Sequence, residues 1–564
     1  MPRPSTPRNS KISKTKTPAG GLYDRSQLLK IKQYMREELN RSRTQFKIRG
    51  KPRIYYISYL FRNQHTDRLW GRLGAINETA GRTHNSVYCD VRVGSNRYDN
   101  VSGGGLEDNN PQDESVDYIN LPIEISKDAF QFGLWKLTDA RYREAAEQYY
   151  DRKSRELHFV EANPELPSRI KQPVQNDFKF KKFENVDLEY WKRLIRKAGL
   201  QIKKHKAIKN SWFEFISHRR QHLFLNSQGS VILQQLAIYE LRFHVWVLTK
   251  DGEGLSQEVN LIEGDINDLP SEKEFLKILN ARIEALLAIR TAPRINSYSG
   301  PVLLSPDACG LFFHEVVGHR LEGSRLLSPD EGATFMDLRG KRIAPDFIDI
   351  VDDPTVDTYA DGRSMIGAFP YDDEGAESKR TVLVEKGVLK SFLTTSAPIP
   401  GQRKLNGHAR NNLHERPISR MGNLFVINRK PTSREEIRER FIEEIKKQKK
   451  PFGIMVKEVL GGETGTGSYD FQAFKGEILS AVRVFPDGTE EPVRGVDFVG
   501  TPLSALDSVI CLGDDAVMDN SYCGAESGMV PVSTIAPSML IRNLELQSQD
   551  RERFTQYALP LPYK

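Results

Sequence analysis

The sequence predicts an α+β fold, in which a mixed α/β N-terminal domain is followed by a mainly antiparallel β C-terminal domain. Three observations support this. A chain of 564 residues is too long for one hydrophobic core, so two or more domains are expected. Helical and strand patterns alternate in the first half, whereas strand patterns dominate the second. A break at residues 291–300, which contains Pro293 and Gly300, separates the two halves.

We divide the chain into a basic tail (residues 1–20), an N-terminal α+β domain (21–296), a C-terminal domain (297–550) and a short C-terminal tail (551–564). The basic tail contains four prolines and no acidic residue, a composition typical of a disordered leader. Without it the formal net charge falls from +7 to about +2, so we expect no nucleic-acid partner for the folded part. The basic residues of the tail are Arg3, Arg8, Lys11, Lys14 and Lys16.

Cysteine content and hydropathy indicate the compartment. No apolar run of 18 residues is present, so no membrane partner is expected, and the N-terminus lacks the apolar core of an export signal. The four cysteines are too few for a disulfide framework in a chain of this length. The sequence therefore predicts a cytoplasmic protein.

The N-terminal domain is predicted to combine helices with strands rich in aromatic and β-branched residues. Ser271 and Glu274 form a capping box at the start of the best-marked helix. Residues 102–117, rich in glycine and acidic side chains, are predicted to be a surface loop. The predicted helices cover residues 24–45, 127–153, 187–199 and 271–290, and the predicted strands lie within 53–98 and 210–249.

The C-terminal domain is predicted to be mostly strands, with one charged helix over residues 433–447. This helix begins after Ser433 and has Ile437, Phe441 and Ile445 on its apolar face. The predicted strands cover residues 301–304, 347–351, 381–385, 388–393, 453–460, 477–485 and 493–499.

Residues 305–323 contain His314, Glu315 and His319 in an H-E-x-x-x-H pattern. Two imidazoles can hold a zinc ion, and a carboxylate next to the first can take a proton from the zinc-bound water. The familiar motif places its histidines four residues apart on one helix face. A spacing of five separates them by roughly 140° on a regular helix, unless a π-type widening near Gly318 brings them together. The pattern therefore predicts a helix that is distorted at a zinc site.

Other interpretations of these residues remain open. Chance alone should produce this pattern in about one chain in a hundred of this length. Histidines on an apolar helix can also simply be buried and hydrogen-bonded. A catalytic zinc site also needs a third protein ligand. Cys523 lies in a glycine-containing segment that is predicted to be a loop able to approach a metal, whereas Cys511 ends an apolar run and is expected in the core. The candidates for the third ligand are Cys309, Cys511, Cys523, His408, His414 and Glu322.

The segment His-Glu-Val-Val-Gly-His-Arg-Leu-Glu-Gly at residues 314–323 resembles the zinc motif of the TldD/PmbA family of metalloproteases. The similarity covers residues 300–546, whereas the N-terminal half resembles the family's first domain only loosely. The further pieces, in the family's order, are Val351-Asp-Asp-Pro-Thr, Asp372-Asp-Glu-Gly, Leu383-Val-Glu-Lys-Gly-Val-Leu, Ser419-Arg-Met-Gly-Asn, Gly461-Gly-Glu, Pro492-Val-Arg-Gly, and Tyr522-Cys-Gly followed by Val530-Pro-Val.

The resemblance implies a zinc metallopeptidase with Zn²⁺ bound by His314, His319 and Cys523 and with Glu315 as the general base. It also implies a buried active site inside a dimer, formed by two identical chains or by this chain and a related subunit. The substrates would be unfolded peptides, and the mostly β surroundings fit capture of an extended peptide by strand addition.

The sequence leaves two alternative functions open. The chain could be the non-catalytic partner of a TldD/PmbA-type heterodimer, but such partners usually lack the zinc motif, and all four key residues are present here. It could also bind nucleic acid through its basic tail, as the sequence pI of about 8.9 suggests. Residues 461–467 resemble a phosphate loop but lack its Gly-Lys-Ser/Thr ending, so a loop at the substrate cleft is favoured.

Overall fold

The computed structural model describes residues 21–106, 118–158, 163–332, 334–469, 472–549, 553–557 and 559–562. The basic tail, most of the loop predicted at 102–117 and part of the C-terminal tail lie outside these residues. The described chain has an α+β fold, as predicted. Among its helices, none has the length and apolarity needed to cross a bilayer.

A seven-stranded sheet forms the framework of the N-terminal half. Two long antiparallel hairpins, β1–β2 and β5–β6, are joined through β1 and β5. The sheet order is β3-β2-β1-β5-β6, and β4 and β7 both pair with β6. The strands are β1 (Ile54–Arg72), β2 (Ala75–Val93), β3 (Tyr118–Asn120), β4 (Asn176–Phe178), β5 (Ile208–Asn226), β6 (Val231–Leu248) and β7 (Gly254–Glu263).

Four helices cover one face of this sheet: α1 (Arg25–Gln45), α2 (Lys127–Arg155), α3 (Leu188–Ile202) and α4 (Glu272–Thr291). Helices α1 and α2 pack on one half of the long strands, and α3 and α4 pack on the other half. The predicted capping box of Ser271 and Glu274 is formed at the start of α4. The four predicted helices are therefore confirmed, each with ends within three residues of those expected.

The opposite face of the same sheet packs against the C-terminal half. Tyr371 contacts an apolar group on strands β1, β2, β5 and β6, and Ile366 contacts residues of β6 and β7. Buried ion pairs also cross this contact, since Arg92 lies 3.1 Å from Glu374 and Arg416 lies 2.7 Å from Asp90. The N-terminal sheet is thereby held over the C-terminal half.

The C-terminal half contains two larger sheets and one two-stranded sheet. The six-stranded sheet has the order β11-β10-β9-β14-β21-β20, and the seven-stranded sheet has the order β15-β8-β22-β18-β16-β17 with β19 beside β22. The strands are β8 (Ser297–Leu304), β9 (Ile348–Asp352), β10 (Thr381–Glu385), β11 (Val388–Leu389), β12 (Ala409–Arg410), β13 (Ile418–Ser419), β14 (Asn423–Asn428), β15 (Gly453–Thr464), β16 (Phe474–Val484), β17 (Glu490–Val493), β18 (Val496–Gly500), β19 (Val509–Leu512), β20 (Val517–Ala525), β21 (Gly528–Ala536) and β22 (Met539–Ser548).

Pairing among the described C-terminal strands is antiparallel except for β14 with β21 and β8 with β15. The strand predicted at residues 388–393 is shorter than expected and ends at Leu389. The reason is local, because the N–H groups of Lys390 and Ser391 both donate to Leu383 O and turn the chain out of the sheet.

The described part of this half has three α-helices: α5 (Pro306–Phe313), α6 (Arg434–Lys447) and α7 (Pro502–Asp507). Helix α6 begins after Ser433, as predicted, and buries the three predicted apolar residues against β8 and its neighbours. Helix α5 lies between the two larger sheets and contacts β15 on one side and β20 and β21 on the other. Its Phe312 and Phe313 are fully buried, so both sheets hold this helix in place.

The hairpin β20–β21 turns at Glu526 and Ser527, directly before Gly528. Gly528 has a φ of +84°, a conformation that disfavours any residue with a Cβ atom. A Cβ atom there would also lie 2.7 Å from Asn412 Cβ. Gly488 has a similar φ of +86°, but its nearest neighbour would be 3.7 Å away.

We therefore expect Gly488→Ala to lower the free energy of unfolding by about 1 kcal/mol through backbone strain alone. Gly528→Ala should lower it more, because the clash adds to the strain. Thermal melting of the two variants beside the parent chain measures this difference, and equal losses would contradict the packing described for the hairpin turn.

Candidate metal centre

Helix α5 widens where the two motif histidines lie. Ser305 caps its start by accepting a hydrogen bond from Ala308 N, and Pro306 occupies the first turn. Residues 314–318 form a π turn, in which His319 N–H donates to His314 O five residues earlier. The predicted widening is therefore confirmed. It brings the imidazole rings of His314 and His319 to 5.0 Å between centroids.

Gly318 makes room for this turn. A Cβ atom at this position would lie 2.1 Å from Met421 Sδ, so the glycine lets Met421 pack directly on the helix. Met421 is itself fully buried in the central core of this half. The absence of a side chain at position 318 thus allows tight packing behind the histidines.

Cys523 completes a group of three possible metal ligands. Its Sγ lies 3.2 Å from His314 Nε2 and 3.4 Å from His319 Nε2. All three ligand atoms lie within 4.8 Å of one another, and all three residues are buried. In tetrahedral zinc sites a nitrogen and a sulfur ligand are about 3.5 Å apart, given the usual bond lengths. The donor set and its spacing therefore fit a zinc ion.

The prediction that Cys523 lies in a loop is wrong. The residue is in strand β20, where it pairs with Val530 of β21. The glycine signal belongs instead to Gly528, directly after the hairpin turn, and the β-branched residues of β21 supply the packing that keeps both strands regular. The thiol is therefore held by a strand ladder, with no loop closure needed to bring it to the histidines.

Glu315 lies beside these ligands but is not one of the three. Its side chain is buried, and its Oε2 atom has no hydrogen-bond partner among the described residues. Strand β15 runs close to it, because a Cβ atom at Gly462 would come within 3.0 Å of Glu315 Cγ. A buried carboxylate oxygen without a hydrogen bond is energetically unfavourable and calls for an explanation, and here the residue lines a cleft.

The other proposed ligands lie elsewhere. His408 is fully buried, with Nε2 3.1 Å from Asp352 Oδ1 and Nδ1 beside Asn406, so it is a satisfied core histidine. His414 is half-buried beside Glu415, outside the group of ligands. Burial raises the pKa of the Cys309 thiol well above its usual value, which favours a neutral, unreactive side chain.

Glu322 contacts His319 on the side of the ring away from Cys523. It is fully buried, and its Oε2 lies 3.3 Å from His319 Nδ1, an arrangement that orients a metal-binding imidazole. Burial opposes its ionisation, yet the His319 and Arg325 charges lower its pKa to about 2. The sequence had suggested Glu322 as a ligand. Its actual place is explained by the 3₁₀ turn at His319–Leu321, which puts the carboxylate on the far side of the ring.

The charges around the three ligands favour a thiolate. Burial opposes ionisation of Cys523, but His319, Arg420 and His314 together hold its pKa well below the usual value. Burial likewise opposes a charged His319, whereas Cys523 and Glu322 raise the pKa of that imidazole well above its usual range. A divalent cation bound between them would take the place of the imidazole protons.

A cleft of about 680 Å³ opens over the site. One wall is residues 459–464 of β15, the other is residues 519–525 of β20, and α5 with the π turn forms the floor. Strand β20 is the last strand of its sheet. Arg242 and Glu258 of the N-terminal sheet also line the cleft, so both halves of the chain contribute to it.

Comparison with known proteins agrees with this geometry. A sequence profile described as the PmbA/TldA metallopeptidase C-terminal domain matches residues 297–548. Residues 297–548 therefore form a C-terminal domain of the TldD/PmbA family. The TldD/PmbA match includes the widened helix, the edge strand β20 and all four residues of the site.

Two curated relatives illustrate the relationship. A metalloprotease of Methanothermobacter thermautotrophicus is 29% identical over 334 residues, which are 58% of this chain and 68% of that protein. A zinc metalloprotease TldD homolog of Saccharolobus solfataricus is 27% identical over 308 residues, 54% of this chain and 63% of that protein.

The structure of TldE from Thermococcus kodakarensis has a TM-score of 0.58 to this chain at 13% identity. The structural match covers 92% of this chain and 100% of the TldE chain. At this identity the likeness shows the fold alone. It includes the N-terminal half, where the sequence resemblance to the TldD/PmbA family was loose.

The two cysteines nearest the motif differ sharply in position, so they provide a matched test. Cys523→Ala removes the sulfur that lies beside both imidazoles and should lose most of the bound zinc. Cys309→Ala removes a buried thiol of α5 outside the ligand group, so it should keep the metal and lose only a little stability through the small cavity. Metal content of the purified variants, measured side by side, checks this. Retention of zinc by Cys523→Ala with loss by Cys309→Ala would reverse the assignment.

Proposed function

We propose that this chain is a zinc-dependent peptidase that hydrolyses unstructured peptides. The observation that carries the proposal is the convergence of His314 Nε2, His319 Nε2 and Cys523 Sγ beside the unpaired carboxylate of Glu315. Three protein ligands next to a candidate base, at the floor of a cleft, is the arrangement expected of a catalytic zinc site.

The donor set supports zinc as the metal. Imidazole nitrogen and thiolate sulfur together favour zinc over calcium or magnesium, which prefer oxygen ligands. Three protein ligands leave a fourth tetrahedral position free for water or substrate. A zinc ion at this site supplies Lewis acidity, which lowers the pKa of water towards about 7 and polarises a peptide carbonyl.

Glu315 would carry the proton in this reaction. Its Oε2 atom is buried and unpaired, so it can accept a proton from the attacking water and later donate it to the leaving amine. Gly462 of β15 lets the strand backbone run against the side chain and limits its movement. Glu322 orients the His319 ring through Nδ1, which leaves Nε2 directed at the site.

The walls of the cleft support an extended peptide as substrate. Among the described residues, no further strand pairs with β20 on its cleft side, and residues 459–464 of β15 pair with β16 along their other edge. Main-chain groups of a peptide can add to such an edge with little demand on its sequence. Folded proteins would not fit, because the N-terminal sheet lies over the C-terminal half and contributes to the cleft.

The resemblance to the TldD/PmbA family supports a dimer, of identical chains or with a related subunit, and a cytoplasmic location. A non-catalytic partner role is less well supported, because the histidines, Cys523 and Glu315 are all present and brought together. Nucleic-acid binding through the basic tail was the less favoured alternative, and residues 1–20 lie outside the described residues.

The proposal predicts that the purified chain digests an unfolded peptide library and that a chelator abolishes this activity. Glu315→Gln should keep the metal, because Glu315 is not a ligand. It should lower the turnover rate by roughly 10²- to 10⁴-fold, because the proton acceptor is lost. Peptide turnover and metal content of both forms, measured on the same preparations, test this.

Glu385→Gln provides a control, since Glu385 is an exposed acidic residue at the end of β10 that pairs with Lys390 away from the ligands. Near-normal turnover of Glu315→Gln would contradict the assigned base. Activity that resists the chelator, in a preparation free of transition metal, would contradict the whole proposal.

A further inference from the structure

Arg420 is a fully buried arginine that contacts the candidate thiolate ligand directly. It follows strand β13, and its Nη2 donates to Cys523 Sγ at 3.1 Å and to Cys523 O at 2.7 Å. Its Nη1 donates to Ser527 Oγ at 3.0 Å and to Gly528 O at 2.9 Å. One guanidinium thus holds both the sulfur and the turn of the hairpin that carries it.

The other side of the same guanidinium is linked to His319 through Glu322. Arg420 Nε lies 3.3 Å from Glu322 Oε1 in an ion pair, and Glu322 Oε2 lies 3.3 Å from His319 Nδ1. All the side chains of this series are buried. Arg420 is therefore linked directly to one candidate ligand and, through one carboxylate, to a second.

Physical chemistry explains why these charges occur together. A buried guanidinium is costly unless opposite charges and acceptors surround it. Here the Cys523 thiolate and Glu322 supply the charges, and Cys523, Ser527 and Gly528 supply the acceptors. A hydrogen bond from a charged donor is stronger than a neutral one, and it draws electron density away from the sulfur. The guanidinium thereby limits how strongly the thiolate donates to a bound cation.

We propose that Arg420 is a positioning residue of the metal centre, which holds the Cys523 thiolate directly and the His319 imidazole through Glu322. This rests on the proposed function, since it takes these residues as metal ligands. Lysine could not replace arginine here, because a single ammonium group cannot reach the hairpin turn, the sulfur and Glu322 together, as the planar fork of arginine does.

The test uses the full chain loaded with Co²⁺, whose sulfur-to-metal charge-transfer band reports directly on the thiolate. Arg420→Lys keeps the charge but loses the fork. We expect the band to move to longer wavelength, because the sulfur holds its electrons less tightly. We expect the Co²⁺ affinity to fall about 10- to 100-fold, because the thiolate and His319 are no longer held in place, and this loss outweighs the stronger donation by the sulfur.

Arg410→Lys is the matched control. Arg410 is also buried, on strand β12, but it donates to Met421 O and stacks over Phe369 at 4.7 Å, with no hydrogen bond to a ligand residue among those the structure describes. This variant should leave both the band and the affinity unchanged. An Arg420→Lys band and affinity that match the parent chain would overturn the proposal, and so would equal shifts in both variants.

Glu322→Gln keeps the test decisive if Arg420→Lys does not fold, which circular dichroism would reveal. It should weaken Co²⁺ binding by about tenfold or more, through loss of the link to His319, while the charge-transfer band persists. Unchanged affinity would overturn the link. A parent chain with no charge-transfer band would overturn the ligand set itself, and this outcome is distinct from a parent band that Arg420→Lys leaves unmoved.

Discussion

The site depends on one constraint, which is that two histidines five residues apart must face the same point. A regular helix would turn them away from each other, and the π turn at residues 314–318 removes that difference. The turn is held by its surroundings, since α5 is packed between two sheets and Met421 fills the space beside Gly318. The same packing brings strand β20, and with it Cys523, to the two imidazoles. Local distortion of the helix and long-range sheet order therefore act together to form one site.

Much of the fold could be predicted because its signals are local. The helix expected at residues 271–290 is observed at Glu272–Thr291, since a capping box and an apolar stripe depend only on neighbouring residues. Sheet order is different, because it depends on contacts between residues far apart in the chain. The strand character of Cys523 was missed for that reason. Its segment contains glycine and polar residues, and only pairing with β21 makes it a strand.

The site was predictable in part. Its motif residues are neighbours in sequence, whereas Cys523 and Arg420 reach it only through the fold. His314, His319 and Glu315 are close in sequence, so their spacing alone indicates the widened helix. Cys523 was one of six candidate ligands on chemistry alone, and family resemblance singled it out. In the sequence, Arg420 is one residue of the Ser419-Arg-Met-Gly-Asn segment, and nothing there marks it as part of the site. Its contact with Cys523 joins residues 103 positions apart, and no local pattern encodes such a pairing.

In the proposed site, one zinc ion binds between His314, His319 and Cys523. Anomalous X-ray diffraction at the zinc absorption edge, on crystals of the zinc-loaded chain, tests it most directly. We expect a single strong peak about 2.0–2.1 Å from the Nε2 atoms of both histidines and about 2.3 Å from Cys523 Sγ. A peak centred on other side chains, or no peak at this position in crystals of peptidase-active protein, would contradict it.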